Sequence, residues 1–196
     1  TPIFIEDGPA VVLAPDAIIR DTELSTFKSY NGSSLKLERK DGPEPEDRFF
    51  SAGQLKELTE GEALSLSDTR IGTVAVNSGG RLLLYFDAGA TPDLVDQVLQ
   101  AIAYANSSDT PLAAVEIQWT FSDGNTGNQG AGGPSSAVGY TTVAIRAVND
   151  APLGIALSGT TDEDTAKTGT LAGTDVDGDA LTFAKVSDPS HGTVTI

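Results

Sequence analysis

The stretch Val115-Glu116-Ile117-Gln118-Trp119-Thr120-Phe121 alternates apolar and polar residues without a break. A period of two puts Val115, Ile117, Trp119 and Phe121 on one face and Glu116, Gln118 and Thr120 on the other, the pattern of a strand with one buried side. Trp119 therefore reads as a core residue. Outward from this stretch the same period returns at residues 34–37, 71–76, 82–86 and 141–148. Between the second and third of these stands Asn77-Ser78-Gly79-Gly80, whose residues tolerate positive φ, so the pair reads as a β-hairpin.

One segment keeps a different period. Leu94, Val95, Val98, Leu99 and Ile102 recur at helical spacing, behind Thr91 as N-cap, Pro92 at the first helical position and Asp93 near the positive end of the dipole. The spacing predicts one short helix around residues 92–104. Short strands divided by Gly and Pro turns, with a single helix, predict an all-β fold, a Greek-key antiparallel β-sandwich.

The chain has 196 residues with 28 Asp plus Glu against 12 Lys plus Arg, a net charge of −16. Such a charge repels nucleic-acid phosphates and anionic headgroups, and no Lys/Arg cluster reverses it locally, so neither is an expected partner. Carboxylates in this density favour hard cations, calcium above all. The absence of cysteine excludes disulfides, thiolate zinc sites and cysteine nucleophiles. No apolar run approaches the roughly 18 residues of a membrane span, so no membrane insertion is expected. The chain begins at Thr1, has no Met and shows no leader pattern, so any targeting signal is expected outside it, in a longer protein.

A boundary falls at Ala147-Val148-Asn149-Asp150-Ala151-Pro152, after which the sequence starts again. Thr182-Phe183 follow an acidic stretch as Thr26-Phe27 do, at an offset of 156, and Glu163-Asp164 repeat Glu6-Asp7 at an offset of 157. The expected organisation is one module at 1–150 and the first part of a second at 151–196, ending inside a strand.

The densest acidic group is Asp175-Val176-Asp177-Gly178-Asp179. An EF-hand loop needs Gly at position six and Glu at twelve; here Gly178 is at four and Val186 at twelve, so that motif is excluded. Three carboxylates in five residues still repel one another unless solvated or bridged by a cation. Asp150-Ala151-Pro152, Glu163-Asp164-Thr165, residues 174–182 and His191-Gly192-Thr193-Val194 resemble, in that order, the cadherin-like tandem repeats of large bacterial surface and secreted proteins. Through Phe4-Ile5-Glu6-Asp7, Asp21, Phe121-Ser122-Asp123-Gly124 and residues 148–152, the first module resembles a longer relative of the same repeat.

The resemblance implies a cadherin/Ig-like sandwich and calcium-dependent adhesins exported by type I secretion to the bacterial surface or medium. It implies a junction calcium (Ca2+) site made by Glu6, Asn149, Asp150, Asp175 and Asp177, with Asp7, Asp21, Glu23, Asp123, Glu163 and Asp179 as further candidates. The mid-module Asp-x-Glu motif has no match, so one ion is expected. Implied partners are neighbouring modules of the same protein and a cell-surface protein or polysaccharide.

Other stretches carry less. The glycine-rich segment 124–133 leads into no helix or GK[ST] sequence and reads as a long hairpin loop. His191 is the only histidine, with no second one to share metal or proton work. Residues 41–47, acidic and Pro-interrupted, read as an exposed loop. Nothing singles out one carboxylate pair as catalytic, so no enzyme is expected. The expected function is a calcium-binding structural repeat that stiffens a multi-module stalk. The competing class is a carbohydrate-binding module, which needs exposed aromatics or a polar groove.

Overall fold

In a computed structural model of the chain, which describes residues 1–127, 132–187 and 189–196, the alternating stretch forms β9 (Ala114–Ser122), with its four apolar residues buried. The contacts divide the chain into Thr1–Val148 and Asn149–Ile196.

In the first unit, β9 lies between β3 (Ser34–Arg39) and β10 (Ser136–Arg146). Beyond β3 come β7 (Arg81–Phe86), β6 (Thr69–Ser78) and β5 (Ala63–Leu66), and beyond β10 comes β1 (Ile3–Ile5), completing a seven-stranded sheet. A second sheet holds β2 (Val11–Val12), β8 (Ile102–Asn106) and β4 (Asp47–Ser51). One core fills the unit, including Leu35, Leu37, Leu82, Leu84 and Ile117 from the first sheet and Ile102 and Tyr104 from the second. Phe4 and Tyr104 meet edge to face across the sheets, 6.3 Å between ring centroids. Trp119 is buried, and its Nε1 donates to Thr141 Oγ1 at 3.0 Å.

The expected hairpin is present, with β6 and β7 joined at Gly79 (φ 57°) and Gly80 (φ 76°). Gly80 is required twice over, because a Cβ there would also stand 2.0 Å from the Glu44 carbonyl. The expected helix is α2 (Pro92–Gln100), with Thr91 Oγ1 accepting from Leu94 N. It stops at residue 100, not 104. Residues 102–106 pair with both β2 and β4 instead, and that pairing buries Ile102 and Tyr104.

Four further expectations need correction. There are two helices among the described residues, the other being α1 (Thr22–Phe27). The sheet is not wholly antiparallel, since β1 runs parallel to β10. The last strand spans Ser136–Arg146 where 141–148 was expected. Residues 41–47 do not form an exposed loop throughout, because Asp47 is 2% exposed. Asp47 accepts from Arg39 Nε (3.0 Å) and Nη2 (2.7 Å), Tyr104 OH (2.6 Å) and Asn106 Nδ2 (2.9 Å), which ties β3 to the second sheet. A buried carboxylate is tolerated only with such a set of donors. Burial, with the bond to Asp47, pushes the Tyr104 phenol well above its ordinary pKa.

The second unit has β11 (Leu153–Gly154) paired antiparallel with β12 (Gly173–Thr174). Of the glycine-rich segment 124–133, residues 128–131 lie outside the described residues.

Candidate functional site

Glu6 sits in the turn that follows β1. Ile5 O accepts from Gly8 N at 2.9 Å and Asp7 takes φ 57°, so the chain reverses sharply and drives the Glu6 side chain inward. Glu6 is 5% exposed. Its main-chain N–H donates to Arg146 O at 3.0 Å, and Oε2 accepts from Val148 N at 2.7 Å. The other oxygen, Oε1, is buried without a hydrogen-bond partner among the described residues. Buried carboxylate oxygens are normally supplied with donors or a cation, so this atom is an exception that calls for a reason.

The remaining candidates of the first unit are differently occupied. Asp21 caps α1, its Oδ1 accepting from Leu24 N at 2.7 Å, and Glu23 is exposed in the first turn of that helix. Asp7 is exposed. Asp123 is buried, and its Oδ1 accepts from Asn125 N (3.0 Å) and Ser135 N (2.9 Å), holding together the base of the loop between β9 and β10. Asp21 and Asp123 thus have structural work that their acidity in the sequence did not announce. In Asp21 the signal was present: an Asp three residues before Leu24 at the start of Thr-Glu-Leu-Ser fits an N-cap.

In the second unit, residues 175–179 form a tight turn at Gly178 (φ 79°), with Gly178 N donating to Asp175 O at 3.3 Å and Asp179 N to Asp175 Oδ1 at 3.1 Å. Asp150 N donates to Asp177 Oδ2 at 2.6 Å, and Asn149 Nδ2 to Asp150 O at 3.1 Å. Asp150, Asp175 and Asp179 line one open depression of about 390 Å³ together with Phe183. Asp177 and Asp179 are exposed, as is Glu163. Among the described residues no three acidic or histidine side chains converge closely enough to form a ready-made metal cluster.

The repeat inferred from Glu6-Asp7 and Glu163-Asp164 has a local counterpart. Asp162 O accepts from Thr165 N at 3.2 Å and Asp164 takes φ 58°, the same turn as Ile5 to Gly8 with Asp7 at φ 57°. The Thr26-Phe27 and Thr182-Phe183 pair does not correspond, for the first lies on α1 and the second outside any helix or strand.

Residues 149–196 match a family model described as a bacterial Ig domain. Neither a curated protein nor a solved structure matches the chain. Bacterial Ig-like domains are structural repeats of surface and extracellular proteins, a non-catalytic kind of fold. No helix among the described residues is long and apolar enough to cross a membrane.

Proposed function

We propose that this chain is a calcium-binding structural repeat of an extracellular bacterial surface protein, one that stiffens a multi-module stalk and supports adhesion. The observation that carries the reading is Glu6 Oε1, a buried carboxylate oxygen with no hydrogen-bond donor among the described residues. A hard oxygen ligand of this kind suits Ca2+, which takes six to eight oxygens from carboxylates, carbonyls and water. Glu6 is held for such a role by the bond from Val148 N to its other oxygen, which fixes the carboxylate plane. The second unit carries carboxylates of the same kind at Asp150, Asp175 and Asp177, and the net charge of −16 raises the local concentration of cations. Bound calcium supplies positive charge against carboxylates that otherwise repel, so a row of such repeats resists bending. The match to a bacterial Ig domain supports the structural role and the extracellular placement. Adhesion to a cell-surface protein or polysaccharide, export by type I secretion and a place among neighbouring modules belong to the same reading.

Calorimetric titration of the chelator-treated chain with calcium tests it. Saturable heat that is lost when Glu6→Gln is titrated supports the reading; no heat at millimolar calcium removes the metal from it and leaves a passive spacer.

A further inference from the structure

The outward face of the seven-stranded sheet brings together side chains that lie far apart in the sequence. Facing residues of an antiparallel ladder project to the same side. Tyr140, Gln118, Glu38 and Arg81 therefore form one row across β10, β9, β3 and β7, on the side away from the buried Trp119. The next row on this side sets Thr120 beside Lys36, and the row after that sets Tyr85 beside Ser34. Tyr85 and Tyr140 are 51% and 53% exposed. They stand three strand intervals and two rows apart, a diagonal of roughly 20 Å that crosses Thr120 and Lys36.

The charge of this face is opposite to that of the chain. The outward positions of the four strands, with Lys40 just past the end of β3, carry four cations, Lys36, Lys40, Arg81 and Arg146, against two carboxylates, Glu38 and Glu116. Lys36 and Arg81 share Glu38, Lys36 Nζ donating to Oε1 and Arg81 Nε to Oε2 at 2.7 Å. Lys40 Nζ donates to Glu116 Oε2 at 2.5 Å and stands 5.4 Å from the centroid of the Tyr140 ring, a cation held beside an exposed aromatic face. The excess here is positive by two charges, in a chain of net −16. No stretch of sequence shows it, because the cations come from different strands.

We propose that this face binds a carboxylated polysaccharide, laid across the sheet from Tyr140 to Tyr85. The inference rests on the adhesive part of the function proposed above and not on its calcium. Charge complementarity selects an anionic partner. Each sugar ring has an apolar side that stacks on an exposed tyrosine, and hydroxyls that bond to groups such as Gln118 and Thr120. A flat strip suits an extended polymer, whereas a small molecule needs a concave site. A protein partner needs an apolar centre, and the centre here holds Lys36 and Glu38. A nucleic acid, with a charge on every phosphate, is repelled by the acidic remainder of the chain.

Calorimetric titration of the full chain with oligogalacturonate and with hyaluronan fragments tests it. In excess chelator at about 0.05 M NaCl, at least one of the two should give saturable heat, and its affinity should fall as NaCl rises to about 0.5 M. The chelator separates the two readings, since a chain that binds no calcium still binds the glycan. Tyr85→Ala and Tyr140→Ala should each weaken binding roughly 2- to 10-fold. Both side chains point outward, so circular dichroism melts should show the fold intact. Lys36→Gln leaves both rings in place, should weaken binding as well, and serves where an alanine variant does not fold. Heat with neither glycan overturns the proposal. Equal heat with uncharged dextran, tighter binding of oligo-deoxythymidylate, or an affinity unchanged in the folded variants does so too.

Discussion

Replacing Glu6 with Gln tests the site at the one atom that supports it. An unsatisfied buried polar atom costs about 1–3 kcal/mol, and Glu6 Oε1 is such an atom. The amide keeps an oxygen to accept from Val148 N and is cheaper to bury than a carboxylate. In chelator, then, Glu6→Gln should melt no lower than the wild type. Calcium reverses the order. A ligand bound only by the folded state stabilises by about 2.7 kcal/mol at 100 times its dissociation constant, which for a unit near 150 residues is a rise of about 5–11 °C in Tm. The wild type should gain that rise and Glu6→Gln should not. Differential scanning calorimetry of both proteins, in excess chelator and in millimolar calcium, gives the four values needed. Equal gains in the two proteins, or no gain in either, refute the assignment of Glu6 as a ligand.

Trp119→Ala should cost about 3–5 kcal/mol in urea unfolding, and wild-type tryptophan emission should be blue-shifted and unmoved by added polysaccharide; red emission quenched by a sugar would favour a carbohydrate site. Tyr104, whose pKa is raised in the folded state, favours its protonated form there, so its contribution is whole below the unfolded phenol's pKa of about 10 and is lost as the pH rises above it. Urea midpoints from about pH 8 to about pH 11 should decline, and less steeply in Tyr104→Phe. Gly124→Ala should destabilise far more than Gly79→Ala, although both have positive φ, because a Cβ at Gly124 would stand 1.8 Å from Gly32 O while one at Gly79 meets open space; equal melting temperatures would show that the close approach yields at little cost.

Much of the fold was readable because its signals are local. The alternation in β9 and the Gly79-Gly80 turn between β6 and β7 each fix structure within a few residues. The start of the helix is legible in Thr91 and Pro92 and its end is not, since Ile102 and Tyr104 fit an apolar stripe as well as a strand. Only the partners β2 and β4, distant in sequence, decide for the strand. The same limit hid the burial of Asp47. The residues before it, Glu44-Pro45-Glu46, are exposed and carry two carboxylates, while the Arg39, Tyr104 and Asn106 groups that hold it come from other strands. Of the site, the Glu-Asp turn was legible through its repeat at an offset of 157, but that Glu6 has one satisfied oxygen and one orphan depends on Val148, 142 residues away. The bond from Ser135 N to Asp123 was not legible, because sequence shows a carboxylate and not the backbone N–H groups it faces.

The parallel pairing of β1 and β10 also governs how the first unit answers to a pull. The chain enters along β1 and leaves along β10 in the same direction, so tension between the two ends drags these strands past each other along their axes. The rungs at Ile3 and Ala144, Phe4 and Ile145, and Ile5 and Arg146 are then loaded side by side in shear, and none yields before the others as in a peeling hairpin. The bond from Val148 N to Glu6 Oε2 adds a further link across the same pair, beyond the last rung. Forced unfolding follows the barrier and not the equilibrium stability, so the rupture force of this unit is set by a handful of contacts between its first strand and its last.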